Sequence, residues 1–196
     1  MTVIIVFGGA FNPVTNAHLE VCDFVMTEFP QATFLFLPVS SAYTKSELAS
    51  NHDRVEMLKI AIGNRQNVQI SDLEINDSDY LGTYQSLVRI SERYQDDVAF
   101  VVGADNLTTM HKWINIHGLL SEFKFIVLGR FDLNIKQLIK QNSVLRQHKS
   151  QFIPFPKFKM NISSTAFRET FDRRVVPAEV FEYIIEHELY RGEDDV

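Results

Sequence analysis

Thr15 and His18 stand three residues apart where a helical pattern begins, directly after the run Gly8-Gly9-Ala10-Phe11-Asn12-Pro13. At i and i+3 the two side chains share one side of a helix start, and both can donate hydrogen bonds. Backbone N–H groups without helical partners and the positive end of the helix dipole point the same way. An anion, above all a phosphate, is what such a corner holds. Glycine lets backbone come close to the anion, and Pro13 stiffens the turn. A second corner of this kind lies near the C-terminus, where Ser163, Ser164 and Thr165 precede Arg168. Hydroxyls and N–H groups gather there at a helix start, and a guanidinium one turn later adds charge for a polyphosphate.

Each corner has a plainer reading when taken alone. Gly8-Gly9 can be a tight strand-to-helix turn, and Ser163–Thr165 an ordinary N-cap. The first run matches neither the Gly-x-Gly-x-x-Gly dinucleotide fingerprint nor the Gly-x-x-x-x-Gly-Lys phosphate loop. Two such helix starts in one chain of 196 residues are harder to dismiss.

The corners need elements to position them, and the hydrophobic pattern supplies these. Short apolar runs predict strands at Val3–Phe7, Phe34–Leu37, Val68–Ser71, Val98–Val102, Phe125–Leu128 and Gln151–Pro154. Helical spacing predicts helices at His18–Glu28, Asp53–Ile62, Tyr84–Arg93, Leu107–Lys112 and Ile116–Glu122, across most of Leu133–Lys149, from Thr165 to Phe171, and after Pro177. Continuous apolar strands alternating with helices give a parallel sheet covered on both faces. The expectation is a single-domain, doubly wound, Rossmann-like α/β fold over residues 1–196, with ligands bound outside the carboxyl ends of the strands. The loops Gly8–Ala17, Pro38–Asn51 and Gly103–Trp113 all follow strands and should meet at one edge of the sheet.

Composition narrows the partners. A net charge of −6 argues against a protein that coats nucleic acid. A local pocket on such a chain can still be positive and hold a small phosphorylated ligand. The single cysteine, Cys22, excludes an intrachain disulfide and fits a reducing compartment. No apolar run approaches the ~18–20 residues of a membrane span, and no signal peptide is visible. A cytoplasmic protein without membrane or nucleic-acid partners is expected.

The corner residues also carry a family resemblance. Gly-Gly-x-Phe-x-Pro followed by Thr15-x-x-His18 resembles the nucleotidyltransferases that share a (His/Thr)-x-Gly-His motif, with Ala17 where glycine is usual. Ile162-Ser163-Ser164-Thr165-Ala166-Phe167-Arg168 resembles their Ile-Ser-Ser-Thr-x-x-Arg motif. Gly103-Ala104-Asp105 with Trp113 is similar to the Gly-Ala-Asp…Trp segment of nicotinate-nucleotide adenylyltransferases. Lys45 and the helix opening Arg54-Val55-Glu56-Met57-Leu58 also have counterparts there, and the match runs from Phe7 to Tyr190. Leu81–Leu87 matches only loosely the family segment that recognises the nicotinate carboxylate.

The resemblance implies adenylyl transfer from ATP to nicotinate mononucleotide, giving deamido-NAD and pyrophosphate. His18 and Thr15 would then be catalytic, donating to the α-phosphate. ATP would be held by Gly8, Gly9, Ala10, Phe11, Lys45, Gly103, Asp105, Ser163, Ser164, Thr165 and Arg168, with Asp105 on the ribose. Thr83, Tyr84 and Trp113 would hold the mononucleotide, the indole stacking on the pyridine ring. Mg²⁺ would enter with ATP and need no protein metal site. The implied partners are these small molecules, and the resemblance leaves room for a homo-oligomer. Nicotinamide mononucleotide and phosphopantetheine are the alternative acceptors, although length and the C-terminal motif speak against the latter. A non-catalytic nucleotide-binding module is the alternative from another class, prompted by Ala17 and the Leu81–Leu87 segment.

Overall fold

Five apolar residues in a row, four of them β-branched, favour extended structure near the N-terminus, and Val3–Gly9 forms strand β1, from which the sheet grows in both directions. The computed structural model describes residues 3–43, 48–159 and 164–190. Its other strands are β2 (Thr33–Pro38), β3 (Val68–Ile70), β4 (Asp97–Gly103), β5 (Lys124–Gly129) and β6 (Phe152–Lys159). All pair in parallel, in the order β3-β2-β1-β4-β5-β6. The helices are α1 (Asn16–Glu28), α2 (Asn51–Ile62), α3 (Thr83–Tyr94), α4 (Ile116–Glu122), α5 (Ile135–Gln141), α6 (Ser143–Gln147), α7 (Ser164–Thr170) and α8 (Ala178–Glu186).

Side chains alternate across a strand, so each strand feeds two cores. Ile5 and Phe7 of β1 pack with Val21, Cys22 and Val25 of α1, Met57 and Leu58 of α2, Phe167 of α7 and Val180 of α8. Ile4 and Val6 face the other way, into a core closed by Leu87 of α3, Leu119 of α4, Ile135 of α5 and Leu145 of α6. The sheet is therefore buried on both faces, as its continuous apolar strands predict. Among the described residues no helix is long and apolar enough to cross a membrane.

One strand extends beyond the sequence reading. Strand β6 runs on past Pro154 to Lys159. It has a single neighbour, so Pro154 and Pro156 interrupt no second ladder. Its pairing shifts register between Leu128 and Gly129, where a Cβ on Gly129 would lie 2.6 Å from the Phe158 carbonyl oxygen. Only glycine fits that crossing. The stretch Leu133–Lys149 is mainly helical, as expected, and divides into α5 and α6. Asn134 and Asn142 accept from the N–H groups of Gln137 and of Val144 and Leu145, capping α5 and α6 separately.

Candidate active site

The chain winds outward from β1 to β2 and β3, then crosses to the other side of β1 with β4. The connections leaving β1 and β4 therefore diverge and leave a crevice at the carboxyl ends of the two strands. A cleft of about 330 Å³ opens there. Gly8 and Gly9 form one wall with His18, Gly103 and Asn106 extend β4 into another, and Trp113, Thr83 and Tyr80 lie around them. Leu37 and Val39 bring in the end of β2. The three loops singled out by the sequence do converge.

His18 is held from its inner side. The Thr15 backbone N–H donates to Nδ1 at 2.9 Å, and Thr15 Oγ1 lies 2.8 Å from the same atom. A backbone N–H can only donate, so Nδ1 must accept and a neutral ring carries its proton on Nε2. Burial first, and the Arg130 charge second, lower the His18 pKa to about 3. The ring is therefore neutral at physiological pH and offers a fixed Nε2–H donor on the cleft wall. Phe11 packs against it at 5.0 Å between ring centroids and Phe7 at 6.0 Å.

This has a consequence for stability. Between pH ~6.5 and ~3 the unfolded chain protonates this histidine and the native state does not, so stability falls as pH falls through that window. Unfolding by urea at neutral pH and at pH ~4 checks it. Wild type is expected to lose stability on acidification more steeply than His18→Gln, and parallel losses would contradict the assignment.

Several predicted residues stand elsewhere than the sequence suggested. The two glycines are not in the turn. They extend β1, Gly8 opposite Leu37 and Gly9 opposite Pro38. A Cβ on Gly8 would lie 3.3 Å from the Phe100 ring and one on Gly9 3.2 Å from the Phe11 ring, so their smallness lets the cleft walls close up. The turn itself follows, with Phe11 at φ 47° and a cis Asn12–Pro13 bond. Phe11, expected to touch ATP, is 1% exposed and belongs to the core. Thr15 is also 1% exposed, and its hydroxyl faces His18 rather than the cleft. The Ala10 carbonyl is occupied by Arg54 Nη1 at 2.7 Å. Tyr84, expected at the mononucleotide, turns away. Its hydroxyl donates to Glu122 at 2.8 Å and its ring packs near Phe123, whereas Thr83 lines the cleft. Lys45 and Ser163 lie outside the described residues.

The C-terminal motif docks directly on the first corner. Ser164 Oγ donates to the Pro13 carbonyl at 2.8 Å, and Arg168 Nη1 donates to the Asn12 carbonyl at 2.6 Å. A second Arg168 nitrogen donates to Thr165 Oγ1 at 3.2 Å. Asp105 sits just beyond β4, its Oδ2 3.5 Å from Arg130 Nη1 and its Oδ1 buried with no hydrogen-bond partner among the described residues. Gly103 and Asn106, which flank this segment, line the cleft.

Glu74, Tyr80 and Arg130 are among the cleft residues that escaped the sequence reading. Arg130 follows directly on β5, the same strand-end position that marked the three loops, and could have been found by that rule. Glu74 lies between Leu73 and Ile75, and this apolar flanking was the available signal. It is 4% exposed, Ser86 Oγ donates to it, and burial raises its pKa.

Residues 6–170 match the model of the cytidylyltransferase-like family. The probable nicotinate-nucleotide adenylyltransferase of Clostridium acetobutylicum is 32% identical over 194 residues, covering 94% of this chain and 97% of its own length. That of Acholeplasma laidlawii is 31% identical over 190 residues, covering 95% and 97%. Among solved structures, the nicotinic acid mononucleotide adenylyltransferase of Plasmodium falciparum complexed with NaAD superposes with a TM-score of 0.78 at 22% identity, over 97% of this chain and 98% of that one. This last likeness is one of fold.

Proposed function

The chain belongs to the cytidylyltransferase-like family, and within it to the nicotinate-nucleotide adenylyltransferases, and we propose that its switch-point cleft transfers the adenylyl group of ATP to nicotinate mononucleotide. The observation that carries the reading is the neutral His18, fixed by Thr15 with Nε2–H as its donor on the wall between β1 and β4. The 5′-phosphate of the mononucleotide attacks the α-phosphorus of ATP in line. The new P–O bond joins the two nucleotides as deamido-NAD, and the bond to the β-phosphate breaks to release pyrophosphate. Catalysis of this kind is positioning and stabilisation of charge on the phosphoryl oxygens.

In this reading His18 donates to an α-phosphate oxygen, and Thr15 positions it. The backbone at Gly8, Gly9 and Ala10 faces the phosphates. Ser164, Thr165 and Arg168, joined by Ser163 and Lys45, serve the leaving pyrophosphate. Asp105, just beyond β4, accepts from the ATP ribose. Trp113 stacks on the pyridine ring, with Thr83 beside it. Mg²⁺ enters as part of the substrate, on phosphate oxygens and water. One transferase domain over residues 1–196, working in the cytoplasm, completes the proposal.

Pyrophosphate release tests it. Full-length protein with MgATP is expected to turn over nicotinate mononucleotide with higher kcat/KM than nicotinamide mononucleotide, and to leave phosphopantetheine unreacted. ATP binding without pyrophosphate release for any acceptor would mean a non-catalytic nucleotide-binding module.

A further inference from the structure

Arg54, in the first turn of α2, is fully buried. Its hydrogen bonds among the described residues go to neutral oxygens. Nε reaches the Ala49 carbonyl at 3.2 Å and Nη1 the Ala10 carbonyl at 2.7 Å. Nη2 reaches both the Val39 carbonyl and Asn51 Oδ1 at 2.7 Å. It takes part in none of the ion pairs among the described residues. Burying a cation without an anion is unfavourable, and apolar replacement of buried ionic groups is often neutral or stabilising. Stability alone does not account for such a group.

Its position does. Ala10 directly follows the cleft-wall glycines, and Val39 itself lines the cleft. One guanidinium thus ties the end of β1, the end of β2 and the entry to α2 into a single unit. A second guanidinium reaches the same turn, since Arg168 donates to the Asn12 carbonyl. It too is absent from the ion pairs among the described residues. Asn12 Oδ1 meanwhile accepts from Ala49 N at 3.0 Å and Tyr190 O–H at 2.8 Å, which locks the turn laterally. On a chain of net charge −6, two cations with no carboxylate partner among the described residues converge on one short turn beside the cleft.

We propose that Arg54 is a positioning residue for the ATP polyphosphate, which it never touches: its charge finds its counter-ion when the polyphosphate binds, and its fork fixes the Ala10 and Val39 peptides that shape the phosphate wall. This rests on the cleft being the ATP site. Its partners belong to the ends of β1 and β2 and the entry to α2, and none is Thr83 or Trp113, so its effect falls on ATP and pyrophosphate and spares the mononucleotide.

Calorimetric titration of the full-length protein with MgATP, pyrophosphate and nicotinate mononucleotide tests this in Arg54→Met, which keeps the bulk and removes the charge, and in Arg54→Lys, which keeps the charge and loses the fork. Arg54→Met is expected to weaken ATP and pyrophosphate by about tenfold or more, the scale of a unit-charge attraction across ~10 Å at an effective dielectric of ~20, with the mononucleotide within about twofold. Arg54→Lys should weaken ATP less and lower kcat more than it lowers affinity. ATP affinity within about twofold of wild type in folded Arg54→Met, or equal weakening of ATP and mononucleotide, overturns the proposal. If Arg54→Met does not fold, the ATP-against-mononucleotide split in Arg54→Lys decides, and failure of both to fold assigns Arg54 a purely structural role. Wild type serves as the separate control. If it binds ATP and releases no pyrophosphate, the adenylyl-transfer reading fails while the Arg54 comparison still stands.

Discussion

His18→Ala lowers kcat by about 100-fold or more while the protein stays folded; this is the largest effect expected on activity, on the scale of removing one donor aimed at developing charge. The histidine has two separate connections. Nδ1 is spent inward on Thr15, which orients the ring. Nε2 keeps its proton because burial and Arg130 hold the pKa near 3, so the ring can donate without first being protonated. A neutral donor that does not change state between pH ~5 and ~8 also gives a rate with no acid limb from this residue. The alanine variant loses the donor where negative charge grows in the transition state, so the loss falls on kcat and kcat/KM alike, with KM for ATP little changed. Steady-state pyrophosphate release measures this, with circular dichroism and thermal melting as controls for folding. Near-normal turnover in a folded variant would remove His18 from the mechanism.

Much of this was legible in the sequence, for reasons that can be named. A parallel sheet buried on both faces must be built from continuous apolar runs, so each run predicts a strand and its polar sequel predicts a loop at the ligand edge. Right-handed crossovers then give a doubly wound sheet with the site where its strand order reverses, while the order itself is seen only in the folded sheet. The roles of individual residues were less legible. Gly8 and Gly9 looked like a turn because glycines often make turns; here they end a strand, Gly9 against the nearby Phe11 ring and Gly8 against the ring of Phe100 from a distant segment. Thr83 and Tyr84 are adjacent in sequence, yet the start of α3 sends one to the cleft and the other to Glu122. Arg54 could be seen to lie on a helix, but its four oxygen partners come from residues 10, 39, 49 and 51, and tertiary folding alone assembles them.

Phe11 shows how such a reassignment can be tested. As an ATP contact it would tolerate truncation at the expense of substrate affinity. As placed, it is 1% exposed, with its ring 5.8 Å from Phe7, 5.4 Å from Phe36 and 5.0 Å from His18. Phe11→Ala is therefore expected to lower stability by about 3–5 kcal/mol, the range for truncating a buried phenylalanine. The site is damaged as well, because the ring walls the pocket in which the His18 imidazole sits. The cavity left behind frees that imidazole to turn, and its donor leaves the position that Thr15 alone cannot hold. Turnover should drop even at temperatures where the variant is folded, and it should drop through kcat. Phe11→Leu refills part of the volume and should recover most of the stability and only part of the turnover, since an aliphatic chain does not restore the edge-on ring against His18. Urea unfolding with parallel kinetics separates the two views. Unchanged stability with a raised KM for ATP would return Phe11 to the ATP site, whereas a large stability loss with kcat falling at nearly constant KM makes it the backing of the catalytic histidine.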